Sequence, residues 1–329
     1  MSTENPKLEE RRARVEALLR GIEKERRIGV IGSMNADYTI DVPHLPAPGE
    51  TVRGGEVRLL PGGKSSNQAA CAALLGASVS MFGLVGKDDN GSFLLERLGR
   101  AGVDVTGVAR AGRPTGTTLI AVDAAGENAI AYAPGANDLL DAAFVRAAEE
   151  LLDCDVVGLC LETPLNSVRV AAARCHEAGA QVLLNYSPCS EPPSRDLAQS
   201  VDVLLVNEHE LAQLTGLPEG GPWAEAQDAL LDMGFSEALV TTGPRGSMVL
   251  GEDCARRVES FEVRACDTTG CGDAFMGAVL AGLASGYSLR EAAELGSCVS
   301  AFAALGHGAQ ASYGTADQVV DALRQGLLG

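Results

Sequence analysis

The segment Asp267-Thr-Thr-Gly-Cys-Gly-Asp-Ala-Phe275 stands directly ahead of an alanine- and glycine-rich run that reads as a helix. It sets three small residues, Gly270, Cys271 and Gly272, at the start of that helix, with the carboxylate of Asp273 immediately after them. A helix amino end offers N–H groups without intrahelical partners and a partial positive charge, and small residues let an anion come close to both. A carboxylate at such a place can take the proton of an attacking hydroxyl while the amides hold the negative charge that develops. The combination points to phosphoryl transfer to an alcohol. Taken by itself the segment also suits an ordinary capped helix, so the remainder of the chain has to decide.

Working outward, the second half alternates strand and helix signals. Helices are predicted over 141–151, 165–178, 208–215, 223–233, 272–285, 289–305 and 315–327, and strands over 155–160, 181–184, 203–206 and 237–241, with a hairpin around 246–259. Such alternation predicts a largely parallel sheet covered by helices. The first half begins with a strand at 28–31. Short alternating stretches follow at about 38–42 and 51–59, then a glycine turn that opens a helix at PGGKSSNQAACAALLGA, a strand at 79–86, and a helix that ends near Gly102. TTLIAVD (117–123) and NAIAYA (128–133), joined by AAGE, read as another hairpin. These early β-pairs break the βα rhythm and predict a small separate sheet, a lid.

Ligands of open α/β sheets sit beyond the carboxyl ends of the strands. Polar residues recur at those positions: Asn35 and Asp37 after the first strand, Glu162 after 155–160, then Asn185, Asn207 and Thr241. One such residue is usually a cap; the recurrence argues for a shared cleft. Lys64 and Asn67 follow the Gly62–Gly63 pair, where close backbone approach and amide side chains suit a polyol. The GKS there is not a Walker A loop, because that pattern requires Gly where Arg58 stands. Asn207 and Glu210 have capping-box spacing, and the same side chains are suited to ordering the waters of Mg²⁺ on nucleotide phosphates. TTGPRGS (241–247) reads either as a hairpin turn or as a phosphate contact through Thr241 and Gly243, with Arg245 as a nearby positive charge.

Composition narrows the partners. A net charge of −18 argues against a nucleic-acid surface, and no apolar run reaches the roughly 20 residues that span a bilayer. Nine cysteines without a CxxC pair or a histidine at zinc spacing indicate free thiols in a reducing cytoplasm. The four histidines form no triad pattern. Residues 1–27 lack the apolar core of a signal peptide and read as a charged helical extension, with Leu8, Val15, Leu18, Leu19 and Ile22 as a thin apolar stripe for packing on the body or a partner.

In order, GSMNAD, PGGKSSNQA, LETP, VNEHE, DTTGCGDAF and GAQAS resemble the motifs of the ribokinase-like (PfkB-type) carbohydrate kinase family, from about Ile28 to about Leu323. Within that family the chain is most similar to members that act on ribose. The resemblance implies a three-layer α/β fold for 28–329, with a β-lid from about 36–60 and 115–134 that often forms a homodimer contact. It implies ATP as donor, with Asp273 as general base for a sugar 5-hydroxyl and Gly270, Cys271 and Gly272 as anion hole. Asn35, Asp37, Gly63, Lys64, Asn67, Glu162 and Asp273 would meet the sugar. Asn207, Thr241, Gly243, Gly246 and Gly272 would meet the nucleotide, with Glu210 in the Mg²⁺ network. Asp267, Thr269, Ala303, Gly308 and Ser312 match positions that bind an activating K⁺.

The chain departs from the family pattern at Ser65–Ser66, where small residues such as Gly-Ala are usual, and at Gly306, where Arg is common. Cys271 stands in place of a frequent Ala. A thiol at a helix amino end is expected to have a lowered pKa. The nearest competing readings are a same-family kinase for adenosine, deoxyribose or fructose, and a non-catalytic sugar or nucleotide sensor; GVIGSMNAD lacks the GxGxxG of a dinucleotide oxidoreductase.

Overall fold

The computed structural model describes residues 6–189, 191–251 and 254–329. Among the described residues, nine strands make one sheet. Its parallel members are β1 (Arg27–Ile31), β4 (Ser78–Gly86), β5 (Val108–Ala111), β8 (Val156–Cys160), β9 (Gln181–Asn185), β10 (Val203–Asn207) and β11 (Ala238–Thr241). β12 (Ser247–Gly251) and β13 (Cys254–Val258) close one edge antiparallel, in the order β13-β12-β11-β10-β9-β8-β1-β4-β5. Strands buried on both faces need apolar side chains throughout, and VVGLC in β8 or VLLV in β10 meets that demand.

Alternate residues of each strand feed two cores. Val30, Val156, Leu183, Leu205 and Leu239 enter the layer of α1 (Pro6–Arg20), α2 (Lys64–Leu74), α3 (Asp89–Arg100), α9 (Cys271–Ala284), α10 (Leu289–Ala303) and α11 (Ala316–Arg324). Ile31, Val157, Leu184, Leu204 and Val240 enter the layer of α4 (Ala142–Ala147), α5 (Leu165–Glu177), α6 (Arg195–Gln199), α7 (Glu208–Thr215) and α8 (Trp223–Met233). The three-layer α/β expectation is met. In α1, Val15, Leu18 and Leu19 are buried against α10 and α11, while Leu8 and, just past the helix, Ile22 are only half-buried.

A second sheet has the order β3-β2-β6-β7, built from β2 (Asn35–Asp41), β3 (Val57–Gly62), β6 (Gly116–Val122) and β7 (Asn128–Ala133). The register puts Asp37, Leu60, Thr118 and Tyr132 side by side on one face, and Tyr38, Leu59, Leu119 and Ala131 on the other.

Several elements differ from the expectation. The stretch predicted as strand over 51–59 becomes strand only at Val57; before it the chain at Gly54 lies so close to Ile40 that a Cβ would stand 2.5 Å from Ile40 Cδ1. The helix predicted over 141–151 breaks at Ala148, whose ψ of 73° leaves the helical range, and resumes as a 3₁₀ turn over Glu149–Asp153. β5 and α6 carry too short a signal to be predicted. The turn of the predicted 246–259 hairpin, the start of the N-terminal extension and part of the proline-rich loop after β9 lie outside the described residues.

α2 and α9 meet at unusually small side chains. A Cβ on Gly277 would lie 2.7 Å from both Cys71 Cβ and the Gln68 carbonyl, so the helices touch backbone to backbone there. Gly277→Val is therefore expected to destabilise the protein by about 1–3 kcal/mol through overpacking. A lowered urea midpoint at unchanged m-value checks this; an unshifted midpoint would show that the helices have room to part.

Candidate active site

Asp273 occupies the first turn of α9, and its carboxylate is nearly inaccessible to solvent (7 %). The turn is shaped by Gly270, whose φ of 75° lies in the left-handed region and whose Cα is crowded by Ala309 and the Tyr313 hydroxyl. That hydroxyl donates to the Gly270 carbonyl at 2.8 Å, pinning the loop from below. A buried carboxylate must be compensated. Asn67 Nδ2 donates to Oδ2 at 2.9 Å and Gln68 Nε2 to Oδ1 at 3.1 Å, both from the first turn of α2. Burial pushes the Asp273 pKa up, the neighbouring Lys64 and these amides hold it down, and the net direction is upward. Burial lowers the Lys64 pKa, but the fields of Asp273 and Glu162 outweigh it and leave it raised.

The same neighbourhood gathers every residue expected to meet a sugar. Glu162, just beyond β8, accepts from Ser33 Oγ at 2.6 Å and from the Lys64 amide at 2.9 Å. Gly63 caps α2 with φ of 93°, against the backbone of Ser33 to Asn35, where any Cβ would collide at 2.9 Å. Asn35 and Asp37 lie on β2 of the small sheet rather than in a loop after β1. Asp37 leans over Gly62, where a Cβ would stand 1.9 Å from its Oδ2. Burial raises its pKa to about 6, partly offset by a Thr118 hydrogen bond and reinforced by Glu162 and Asp273.

A cleft of about 140 Å³ runs from Asp273 along the carboxyl ends of the main sheet, lined by Lys64, Asn185, Ser187, Asn207, Glu210, Thr241, Gly270 and Gly272 among others. Asn207 and Glu210 do form a reciprocal capping box: Asn207 Oδ1 accepts from the Glu210 amide and Glu210 Oε2 from the Asn207 amide, each at 2.8 Å. One carboxylate oxygen and the Asn207 side-chain NH₂ remain for other partners. Gly272 is exposed with open space before its Cα, whereas the Cys271 amide already donates to the Thr268 carbonyl at 3.2 Å. Beyond Gly272 a larger cleft of about 580 Å³ is lined by Thr241, Gly243 and Gly246 on one side and by Phe261, Val263, Phe275 and Ala301 on the other. It is apolar enough for a planar ring.

Asp267 links the two loops expected to hold a cation, accepting from the Thr269 amide and the Gly308 amide, each at 2.8 Å. Burial raises its pKa, and these hydrogen bonds more than reverse that, leaving it lowered. Ser312 Oγ donates to the Ala309 carbonyl at 2.9 Å, and the Ala303 carbonyl accepts from Gly306 at 3.1 Å. Among the described residues no group of three or more His, Cys, Asp or Glu side chains is placed to hold a metal ion.

One expectation is corrected here. The Cys271 thiol is pushed up to about 11, not lowered, because burial, Asp267 and Asp273 all disfavour the thiolate. Ser65 and Ser66 are fully buried and turn into the body: Ser65 Oγ lies 3.0 Å from Cys160 Sγ, and Ser66 Oγ donates to the Gly62 carbonyl at 2.5 Å. The supports that sequence reasoning missed are Gln68, Gln310, which donates to Asn67 Oδ1 at 3.0 Å, and Asn137, which donates to Asn35 Oδ1 at 2.8 Å.

The profile described as pfkB family carbohydrate kinase matches residues 25–316. The chain belongs to the pfkB family of carbohydrate kinases. It is 33 % identical over 302 residues to a ribokinase of Haemophilus influenzae, covering 91 % of this chain and 98 % of the relative. It is 32 % identical over 295 residues to a deoxyribokinase of Salmonella typhi, covering 88 % and 96 %. The structure of Arabidopsis thaliana ribokinase complexed with ribose and ATP superposes with a TM-score of 0.82 at 28 % identity, over 91 % of this chain and 99 % of that one. The protein is thus a sugar kinase of the ribokinase family, a phosphotransferase with an alcohol acceptor.

Asp37 gives a test of the site's electrostatics. Its folded-state pKa of about 6 exceeds the ordinary 3.8, so between these values the folded protein binds more protons than the unfolded chain and this group's contribution to stability falls as pH rises. Asp37→Asn is expected to be more stable than the parent near pH 7, with the difference shrinking as pH falls toward about 4. Paired denaturant titrations across that range check it; a pH-independent difference would remove Asp37 as the titrating group.

Proposed function

We propose that this protein phosphorylates the 5-hydroxyl of D-ribose with ATP, giving D-ribose 5-phosphate and ADP. The observation that carries the reading is the place of Asp273, a buried carboxylate shared by the sugar-side cluster and the phosphate-sized cleft at the amino end of α9. A raised pKa makes its ionised form a stronger base for the sugar hydroxyl, and the chemistry is otherwise positioning and charge stabilisation. Asn35, Asp37, Gly63, Lys64, Asn67 and Glu162 orient the sugar. Gly270, Cys271 and Gly272 face the transferring phosphoryl group, with Gly272 the amide most open to it and Lys64 the adjacent positive charge. Thr241, Gly243, Gly246 and the Asn207 NH₂ meet the nucleotide.

Glu210 would face the waters of Mg²⁺, which when bound offsets phosphate charge. The carbonyl-rich loops joined by Asp267, with Thr269, Ala303, Gly308 and Ser312, would hold K⁺. The donor sets fit, since hard cations take oxygen ligands and both loops are brought together by one carboxylate. We read 28–329 as the kinase unit, with 1–27 as an extension. The outer lid face carries exposed Val57 and Leu119 beside Tyr38 and Ile40, which suits a homodimer contact with a second copy. Eight unpaired cysteines among the described residues suit a reducing cytoplasm.

A second reading, a 2-deoxyribose kinase, is favoured by the similarity to the Salmonella deoxyribokinase. A panel of ribose, deoxyribose, fructose and adenosine with ATP, Mg²⁺ and K⁺ separates the two; deoxyribose exceeding ribose in kcat/KM would replace the first reading. Asp273→Asn is expected to lose about 10²–10⁴-fold in turnover, the usual contribution of a general base, while ADP binding persists. Turnover near the parent's would end the base assignment.

A further inference from the structure

The pfkB profile begins at residue 25, so α1 precedes the matched region. α1 nevertheless reaches the wall of the larger cleft. The Arg11 guanidinium lies 3.8 Å from the centroid of the Phe261 ring and donates through Nη1 to the Ser260 carbonyl at 2.9 Å and through Nη2 to the Glu259 carbonyl. Its Nε also donates to Glu294 Oε1 at 3.3 Å, and Arg14 grips the same carboxylate at 2.8 and 2.5 Å. Glu294 stands one turn before Ser297 on α10, and Ser260, Phe261 and Ser297 all line the cleft.

The wall needs such support. Between β13 and α9, residues 259–270 contain no helix or strand. On its other edge Glu262 exchanges backbone hydrogen bonds with Gly329, at 2.5 Å as donor and 3.0 Å as acceptor. Beneath it, a Cβ on Gly246 would stand 2.1 Å from the Val258 carbonyl and 2.7 Å from the Ser260 amide, so the wall rests directly on the Gly243–Gly246 turn. Any shift at 259–261 therefore moves both sides of the cleft.

We propose that Arg11 is a positioning residue for the nucleotide: by satisfying two carbonyls and stacking on Phe261, α1 holds the 259–262 wall in its binding geometry. The proposal rests on reading this cleft as the nucleotide site. Without the clamp the wall samples other conformations, and apparent affinity falls by the fraction of time the competent one is lost. None of the clamp's contacts reaches Asn35, Asp37 or Glu162, so the sugar side is untouched. Lysine cannot replace it, since one ammonium lacks the planar fork that serves two carbonyls and a carboxylate together.

The test is ADP binding by calorimetry on the full chain, with KM for ATP and for the sugar and the thermal midpoint recorded alongside. Arg11→Ala is expected to weaken ADP about tenfold and to raise KM for ATP similarly, with the sugar KM within about twofold. Arg11→Lys, which retains a charge for Glu294 and serves if the alanine variant does not fold, is expected to show most of that loss. Arg324→Ala removes a contact of α1 at Glu16 that includes none of residues 259–262, and is expected to leave ADP affinity alone. Unchanged ADP affinity in both Arg11 variants overturns the clamp, as does an equal loss of ADP affinity in Arg324→Ala or an equal loss for sugar and nucleotide. A parent protein that binds no ADP instead overturns the assignment of the cleft, and the clamp with it.

Discussion

The rest of the molecule depends on the contact between the amino ends of α2 and α9 around Asp273. Isolated, a carboxylate so deeply buried would be protonated or would unfold its surroundings. Here Asn67 and Gln68 deliver two side-chain donors from one helical turn, and Lys64 supplies the opposing charge from the same turn. That geometry requires the two helices to approach at backbone distance, which explains the run AACAA in α2 and the glycine at 277. It also requires α2 to begin where it does. Gly63 makes that possible, because no other residue fits at positive φ against the backbone of Met34.

The charge distribution follows from this centre. With a net charge of −18, long-range attraction for a phosphate compound is absent. Lys64 is the one basic side chain among the residues lining the smaller cleft, and Asp273, Glu162 and Glu210 all lie within its field. In the proposed reading, anion recognition there would fall mainly to backbone amides at helix starts, whose partial charge costs no side-chain ordering. Burial raises the pKa values of Asp37 and Asp273, and the charge of Glu162 adds to both, so these two carboxylates are better proton acceptors than isolated surface ones.

What the sequence revealed and what it hid divide along physical lines. The start of α9, the strand-end positions of Glu162, Asn185, Asn207 and Thr241, and the two-faced lid were legible because each is written in local pattern: small residues before an apolar run, polar residues after one, alternation of period two. Gln68, Asn137 and Gln310 were not. Their role comes from contacts spanning 205, 102 and 243 residues, and nothing in the local pattern of a buried amide tells which distant group it serves. The break in the helix predicted from 141 was hidden for another reason, since Ala148 is a strong helix former and its backbone departs only under tertiary constraint. Cys271 shows two rules in conflict: the helix amino end favours a thiolate, while burial and two carboxylates disfavour it, and only coordinates reveal that the latter prevail.

Glu162 shows how the layers are made to act together. It projects from the end of a core strand, accepts from Ser33 in the link between β1 and the lid, and accepts from the amide of Lys64 at the start of α2. One carboxylate thereby ties the segment that leads into the lid strand bearing Asn35 and Asp37 to the start of the helix that carries Lys64 and Asn67. A hydrogen bond to a charged acceptor is stronger than one to a neutral acceptor, and here two such bonds join segments that surround Asp273. Glutamine at 162 would keep the shape but weaken both bonds and remove the field that helps hold Lys64 charged. The loss would then fall on the alignment of both segments, because the same oxygen atom accepts from Ser33 and from the Lys64 amide.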